Sequence, residues 1–456
     1  MSANAAKGSG PAGPLLDGIG VAALSRHAVQ AEFTDAVGTR ALHAVEEWCS
    51  AVDSEGSYRT ITDKFPFGDV IEHFRSVGRG AALPALIAKL RVLHASMQSE
   101  APPEDEEVST PPLSSWLRLT FDQEGGDYHT YVGTHLYDRM RERSEGEKGD
   151  ILSDTIMAAL AVDLLSIETS ALAAEPSRRQ RTRARATYRL LRGMNALAPA
   201  WGAKFEGKAG PFATEDDLNG DEALMAAASR AISAAADRIE QPVRRLVEAT
   251  MLPVTRLHDE QMFIRTIQIF EGLYVHIGRC LGRAITALDN GDAEGCRDEL
   301  SDAAHRLEAT PALFRVLTTM PREAFAVIRE NTYGRSAVQS TSYRRVELLS
   351  APRDPGSYSP QAPLLAPEGE TLQEVFERQL PGLPPQTVTR LEESMRRLDA
   401  GWHMSKRTHW GITLKIIGSA PGTGGTSGAD YLQRTAEVSL FPNLIFNVRR
   451  HMVRQS

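Results

Sequence analysis

Apolar residues recur at steps of three and four through most of the chain, which is the periodicity of helices that bury one face. The clearest example is one stripe whose members are Phe263, Ile267, Phe270, Tyr274, Ile277, Leu281, Ala284 and Leu288. Earlier segments such as ALHAVEEWCSAV and ALPALIAKLRVLHASM repeat the same spacing. Strict alternation of apolar and polar residues, the pattern of strands, is almost absent. The sequence therefore predicts an all-α fold.

Breaks in this pattern divide the chain into regions. Residues 1–18 are rich in Gly, Ala and Ser, and we expect them to form a disordered tail. Residues 19–98 make an N-terminal helical region, and the acidic, Pro-rich segment 99–112 is a linker by composition. A second helical region starts at 113 and is interrupted by loop-like segments at 204–222 and 351–370.

Two segments of the second region carry unusual charge patterns. The apolar run TIMAALAVDLLSIETSALAA contains Asp163 and Glu168, so it predicts a buried amphipathic helix and not a membrane span. The segment 177–194, SRRQRTRARATYRLLRGM, is strongly basic, and we expect it to present a solvated face.

Charge and cysteine content exclude several classes of partner. The chain has 51 Lys and Arg against 59 Asp and Glu, a net charge of -8, which argues against a nucleic-acid partner. Its three cysteines, Cys49, Cys280 and Cys296, are too few and too scattered for a disulfide framework or a zinc ribbon. The first residues contain no apolar block of signal-peptide length. We therefore expect a cytoplasmic protein with neither a nucleic-acid nor a membrane partner.

Two of the 12 histidines stand out by position. His258 lies at the beginning of the long apolar stripe, where it could simply pack or take part in chemistry. His409 shares a helical face with Trp402 and Ile412, and could be a hydrogen-bonded core residue or the single nitrogen donor that a five-coordinate haem iron needs. His403 lies about 240° around the same helix, so the two cannot face one metal, and a non-haem site is unsupported.

Two further segments suggest contact with a polar ligand. The glycine-rich loop PGTGGTSG, 421–428, lacks the lysine of a phosphate-binding loop, so it could be a helix end or a lid in which Thr423 closes over a ligand. Phe325 and Arg329 are four residues apart, hence on one helical face. An aromatic wall beside a guanidinium suits an aromatic amino acid, although taken alone this pair favours a surface arginine at Arg329.

Three motifs, in order and without gaps, resemble the tryptophan 2,3-dioxygenase family. HDEQMFIRTIQIFEGLY resembles the family's distal helix and matches at His258, Asp259, Glu260, Phe263, Gln268 and Glu271. FAVIRENTYGRSAVQSTSYRRVE matches at Phe325, Arg329, Ser336, Gln339, Ser340, Arg344 and Glu347. HWGITLKIIGSAPGTGGTSGADYLQRT is similar to the segment with the haem-ligating histidine and the GTGGSSG loop, and DYHTYV is similar to the start of the family's first helix.

This resemblance implies a function and a set of site residues. It implies haem b with His409 as the axial ligand and His258 as a catalytic residue on the open side. It implies that Arg329 binds the substrate carboxylate and that Thr423 binds the substrate ammonium. It also implies that the rest of the substrate pocket is lined by Phe325, Phe263, Tyr128, Tyr131 and Ser336. The implied reaction is cleavage of the indole C2–C3 bond of L-tryptophan, or a substituted tryptophan, by O2 to give the N-formylkynurenine.

The chain also departs from the family's pattern. The long interval between Tyr131 and His258 implies a helical insertion at about 140–250 within an oxygenase domain spanning 113–449. SAVQS replaces the usual SGFQS and resembles the corresponding motif of the haem-dependent tyrosine hydroxylases. An alternative is therefore a monooxygenase or peroxygenase that uses O2 or peroxide and acts on tyrosine or a tryptophan derivative. A haem-binding sensor or scaffold without activity is another. Because members of the family commonly form oligomers, the resemblance also implies a homo-oligomer, either a dimer or a tetramer.

Overall fold

The computed structural model of the chain describes residues 36–52, 64–98, 113–121, 127–142, 144, 146–203, 212, 218–332, 334–353, 362–365, 369–418, 420–422 and 426–444. The expected tail 1–18, the expected linker 99–112 and Thr423 lie outside these ranges. Within them every regular element is a helix, which confirms the all-α prediction.

The helices are described in three groups: an N-terminal group, an insertion group at the position of the insertion that the sequence predicts, and a C-terminal group. The N-terminal group comprises α1 (36–52), α2 (Phe67–Val77), α3 (Pro84–Gln98), α4 (Leu113–Phe121), α5 (Tyr128–Val132) and α6 (Thr134–Glu142). The insertion group comprises α7 (Gly146–Ala174), α8 (Arg178–Arg192), α9 (Met194–Leu197), α10 (Pro199–Gly202), α11 (Asp221–Ala236) and α12 (Gln241–Ala249). The C-terminal group comprises α13 (His258–Asp289), α14 (Ala293–Glu308), α15 (Pro311–Leu317), α16 (Arg322–Asn331), α17 (Thr341–Ser350), α18 (Leu372–Gln379), α19 (Pro385–Ile417) and α20 (Ala429–Ala436).

Helix α13 is the axis of the fold, as the long apolar stripe predicts. It packs against α7 on one side and against α14, α17 and α18 on others. Asp259 and Glu260 lie in its first turn, where negative charge is favourable beside the helix dipole. The helix ends before Gly291, whose φ of 80° belongs to the left-handed region that glycine adopts without strain.

The insertion helices are part of the core. Helix α7 packs against α8, α10, α11, α12 and α13. It is the one helix in the described ranges long and apolar enough to cross a membrane by length and composition, with a mean hydropathy of 1.7, and 67% of that stretch is buried within the protein. The expected buried helix is therefore observed.

Helix α19 carries His409 and is held between α14, α15, α16 and α20. Pro385 occupies its first turn, where the missing N–H costs nothing, and Gly418 with φ 61° follows its last residue. Helix α18 follows the predicted loop 351–370, and at its beginning Thr371 and Glu374 each cap the other's backbone N–H.

Candidate functional site

His258 opens α13 and contacts a carboxylate from the insertion. Its Nε2 lies 3.1 Å from Oε2 of Glu168, which is on α7. The Glu168 side chain is completely buried, whereas the His258 side chain is 28% exposed. When the Glu168 carboxylate accepts the Nε2 proton, Nδ1 is the nitrogen left free to accept a proton or hydrogen bond on the exposed side of the ring.

A buried arginine completes this network. Arg183 of α8 places Nη2 2.5 Å from Oδ1 of Asp259 and Nη1 3.9 Å from Oε1 of Glu168. It also donates to the hydroxyl and carbonyl oxygens of Thr319, at 2.9 and 3.0 Å. The guanidinium is fully buried, so the expectation of a solvated face on 177–194 is wrong at this position. A charge buried this deeply is stable because two carboxylates and a carbonyl pair with it.

The third residue of the His-Asp-Glu motif anchors the loop before α13. Glu260 accepts hydrogen bonds from the backbone N–H groups of Val254 and Thr255, at 3.0 and 2.6 Å. The Tyr131 hydroxyl donates to the same carboxylate at 3.1 Å. These bonds fix the approach of the chain to His258.

Glu271, farther along α13, accepts hydrogen bonds from hydroxyl groups on two other helices. Tyr128 of α5 donates at 2.7 Å, Ser340 donates at 3.0 Å, and Ser342 of α17 also donates to this carboxylate. Burial raises the pKa of Glu271, although the hydrogen bonds from these hydroxyls oppose the rise. Tyr128 and Tyr131 are thus buried with their hydroxyls engaged, and their expected contact with substrate stays a prediction.

A partly exposed apolar stripe runs along α13 from the end that carries His258. Phe263, Ile267 and Tyr274 keep some exposure although most neighbouring residues of the helix are buried. The Phe263 ring meets the Phe325 ring of α16 edge to face, with centroids 5.8 Å apart. The rings of Phe263 and Phe325 thus lie together, and their contact with a substrate stays a prediction.

Arg329 lies one turn after Phe325 on α16 and is half-buried. Its guanidinium makes no hydrogen bond or ion pair with any residue that the structure describes. A half-buried cation without a protein partner is available to an anionic ligand group. The two residues thus lie together as expected from their spacing.

His409 of α19 borders the same region through the ring of Phe314. The two rings are near parallel with centroids 6.4 Å apart, and Phe314 in turn contacts Phe270 of α13 at 4.9 Å. The His409 side chain is exposed by surface area, and yet desolvation lowers its pKa to about 4. The ring is therefore accessible at its surface, while enough protein surrounds it to disfavour its charged form.

These features fit a haem. At neutral pH an imidazole with this pKa is uncharged, as an iron ligand must be, and the surrounding rings of α13 and α15 offer apolar surface to a porphyrin. His403, by contrast, donates from Nδ1 to the carbonyl oxygen of Ala436 at 2.6 Å and is engaged elsewhere. Of these two histidines on α19, His409 is the one whose ring could hold a haem iron.

Two predicted substrate contacts remain without a test. Ser336 is half-buried and caps the short 3₁₀-helix Ala337–Gln339, accepting from the backbone N–H of Val338 at 3.5 Å. Thr423 falls outside the described residues, although Gly422 donates its N–H to the Thr426 carbonyl oxygen across the loop at 2.9 Å.

Sequence reasoning missed Glu168 and Arg183, the residues that hold the beginning of α13. A signal was present, because an acid inside a long apolar run on a buried helix needs a cationic or hydrogen-bonding partner. Asp163 of the same run illustrates this, with Oδ2 2.6 Å from Nε of the buried Arg265. The run indicated burial correctly, but the partners could not be named from sequence.

Comparison with characterised sequences gives distant but consistent relatives. A tryptophan 2,3-dioxygenase from Bradyrhizobium sp. (strain ORS 278) is 25% identical over 250 residues, covering 44% of this chain and 88% of the relative. Those from Anaeromyxobacter sp. (strain K) and Xanthomonas oryzae pv. oryzae (strain PXO99A) are 24% and 25% identical over 231 and 235 residues, covering 87% and 79% of their length. No protein-family model matches the chain.

The relatives are therefore aligned over most of their own length but over less than half of this chain. This is the result expected when a shared helical core carries additional segments. The all-helical architecture agrees with that core. The chain is distantly homologous to the tryptophan 2,3-dioxygenases over most of their length.

Proposed function

We propose that the protein is a haem-dependent oxygenase of an aromatic amino acid, and that it cleaves the indole C2–C3 bond of L-tryptophan or a substituted tryptophan with O2. The observation that carries the proposal is His409, an accessible imidazole whose surroundings lower its pKa to about 4 on a wall of aromatic side chains. A haem bound there would supply the activation of O2. The relatives named tryptophan 2,3-dioxygenase support the same chemistry.

The protein's own residues bind and orient the substrate. Arg329 holds the substrate carboxylate, since its guanidinium is unpaired toward described residues and lies one turn from Phe325. Phe325 and Phe263, which contact each other with centroids 5.8 Å apart, form one wall against the aromatic ring and keep water from the reacting bond. Thr423 contacts the substrate ammonium, as the family resemblance implies.

His258 holds or accepts the proton of the ring N–H or hydroxyl. Its Nε2 is occupied by Glu168 at 3.1 Å, so Nδ1 is the nitrogen offered to the substrate. Arg183 and Asp259 keep Glu168 and the first turn of α13 in place. The insertion thus contributes to catalysis by fixing the orientation of the histidine.

The test is single-turnover oxygenation followed by mass spectrometry. Haem-loaded protein is reduced without air, mixed with one aromatic amino acid, and exposed to isotopically labelled O2. The proposal expects a product from L-tryptophan that carries two labelled oxygen atoms and an opened indole ring. Labelled product from none of the aromatic amino acids, together with an unchanged haem spectrum on adding them, would favour a sensor and overturn the proposal.

A second candidate is a monooxygenase or peroxygenase that hydroxylates tyrosine or a tryptophan derivative. The hydrogen bond from His258 to Glu168 favours it, because a histidine oriented by a carboxylate suits removal of a proton from a phenol. A parallel reaction of the ferric haem-loaded protein with labelled hydrogen peroxide distinguishes the two, because peroxide supplies both the oxygen atom and the two oxidising equivalents that hydroxylation needs. Hydroxylation then adds one labelled oxygen atom, releases water and leaves the ring closed.

A further inference from the structure

Side chains of types that bind metals come together between α13 and α14, away from the proposed haem pocket. They are His276 and Cys280, one turn apart on α13, and Asp302 on α14, and we refer to them as the α13–α14 cluster. His276 lies about five helical turns, or roughly 27 Å, along α13 from His258. Nothing in the proposed oxygenase chemistry uses these three residues.

The three donor atoms of the cluster converge on one point. Cys280 Sγ lies 3.3 Å from His276 Nε2 and 3.5 Å from Asp302 Oδ2, and the last two atoms are 2.6 Å apart. In a catalytic Cys-His-Asp triad the thiol and the carboxylate bind different ring nitrogens. Here both address Nε2, so the arrangement does not fit a triad.

The spacing is close to that of a tetrahedral metal centre. Bonds of about 2.0–2.3 Å from zinc to nitrogen, oxygen and sulfur place neighbouring ligand atoms roughly 3.3–3.7 Å apart. The two distances from Cys280 Sγ already fall in this range. Only the contact between His276 and Asp302 must lengthen, by about 0.7 Å.

The other nitrogen of His276 has a suitable outer partner. Its Nδ1 lies 3.7 Å from Oδ1 of Asp150 on α7, and neither buried atom makes a hydrogen bond, although this oxygen also lies 3.8 Å from Nη1 of Arg279. A histidine that binds metal through Nε2 carries its proton on Nδ1, commonly facing a carboxylate that orients the ring. Metal binding would therefore give both orphaned atoms a function.

The arginines beside the cluster are already neutralised by acids. Arg283 pairs with Glu299 at 2.8 Å and with Asp150 at 3.0 Å. Arg306 pairs with Asp154 at 2.6 Å as well as with Asp302 at 3.2 Å. Because acids neutralise these arginines, their charges do not strongly repel a bound cation. The Asp302 side chain is 35% exposed and offers a route from solvent.

We propose that His276, Cys280 and Asp302 bind a divalent ion of the zinc class, with water as the fourth ligand and Asp150 orienting the histidine from the outer shell. The ion clamps α13 to α14 and α7. Mixed nitrogen, sulfur and oxygen donors, with the imidazole and the thiol buried, are typical of zinc and not of magnesium or calcium.

The test is zinc titration of the untagged, haem-loaded full chain by calorimetry, with X-ray absorption at the zinc edge. We expect one zinc per chain with one sulfur ligand, and a rise in the unfolding temperature on adding zinc. Cys280→Ser should weaken binding at least 100-fold and remove the sulfur signal. Asp150→Asn should weaken binding about 10- to 100-fold.

Cys296→Ser is the matched control, because Cys296 is a second buried, free cysteine, on α14. It should bind zinc as the unmodified chain does. Zinc binding that is absent, or equal in the Cys280→Ser and Cys296→Ser variants, would overturn the proposal and leave an ion-pair cluster alone. Asp302→Asn, which keeps the size of the side chain, must also weaken binding and covers the case in which Cys280→Ser fails to fold.

Discussion

Replacing Glu168 by glutamine tests whether the insertion acts on the reaction through His258. The change keeps the shape of the side chain and its hydrogen-bonding oxygen but removes the negative charge 3.1 Å from Nε2 of His258. Because Glu168 is completely buried, water cannot replace that charge. The histidine then loses the negatively charged partner that fixes the orientation of its ring and holds its proton on Nε2.

The size of the effect follows from the kind of hydrogen bond that is lost. A hydrogen bond to a charged group contributes about 1.5–3 kcal/mol and a neutral one about 0.5–1.5 kcal/mol. The difference, about 1–1.5 kcal/mol, corresponds to roughly a 5- to 10-fold fall in kcat if the histidine acts in the transition state. Arg183 keeps its 2.5 Å contact with Asp259, so the fold should survive the change.

The assay compares kcat, KM and haem content of the Glu168→Gln variant with those of the unmodified enzyme. We expect lower kcat with similar haem content and substrate affinity, and partial recovery in Glu168→Asp. Glu175→Gln is the matched control, because Glu175 lies just beyond the end of the same helix and is exposed. An unchanged kcat in Glu168→Gln would refute the role given to the insertion.

Three further predictions concern substrate binding by Arg329, the buried hydrogen bond of Tyr128, and the dependence of stability on pH at His403. Arg329→Met should weaken aromatic amino acid binding by about 1.5–3 kcal/mol, roughly 10- to 100-fold, in a titration followed by the haem spectrum; equal affinity would contradict a carboxylate clamp. Tyr128→Phe removes a buried donor 2.7 Å from Glu271 and should cost about 1–3 kcal/mol of unfolding free energy, measured by urea denaturation; an unchanged free energy of unfolding would contradict a stabilising hydrogen bond. The carboxylate of Asp399 raises the pKa of His403 above its usual value, so this contact stabilises the fold below pH about 6.5 and is lost as pH rises through the raised pKa. The difference in unfolding temperature between the unmodified chain and His403→Gln should therefore be larger at pH 6 than at pH 9, and a constant difference would contradict the assignment.

The fold was largely predictable because its helices follow their hydrophobic period. The stripe from Phe263 to Leu288 predicts α13, and the apolar run around Asp163 predicts the buried α7. Helix α18 was missed since it is short and follows a Pro-rich segment. The capping pair Thr371 and Glu374 was the available signal.

The site was only partly predictable, for a different physical reason. Phe325 and Arg329 are near neighbours on one helix, so their spacing predicts that they share a face. Glu168 and His258 are on separate helices far apart in the sequence, and their contact depends on how α7 packs against α13. The α13–α14 cluster has the same character, because Asp302 joins His276 only when α14 folds back along α13.

Haem binding by His409 is the central claim, and a haem titration of variants tests it most directly. His409→Ala is compared with His403→Gln, which changes a histidine on the same helix that is bonded to the Ala436 carbonyl oxygen. The account predicts that the unmodified chain and His403→Gln each bind one haem with a histidine-ligated spectrum, that His409→Ala loses it, and that added imidazole restores it. A His409→Ala variant that binds haem with the same spectrum and affinity would contradict the account.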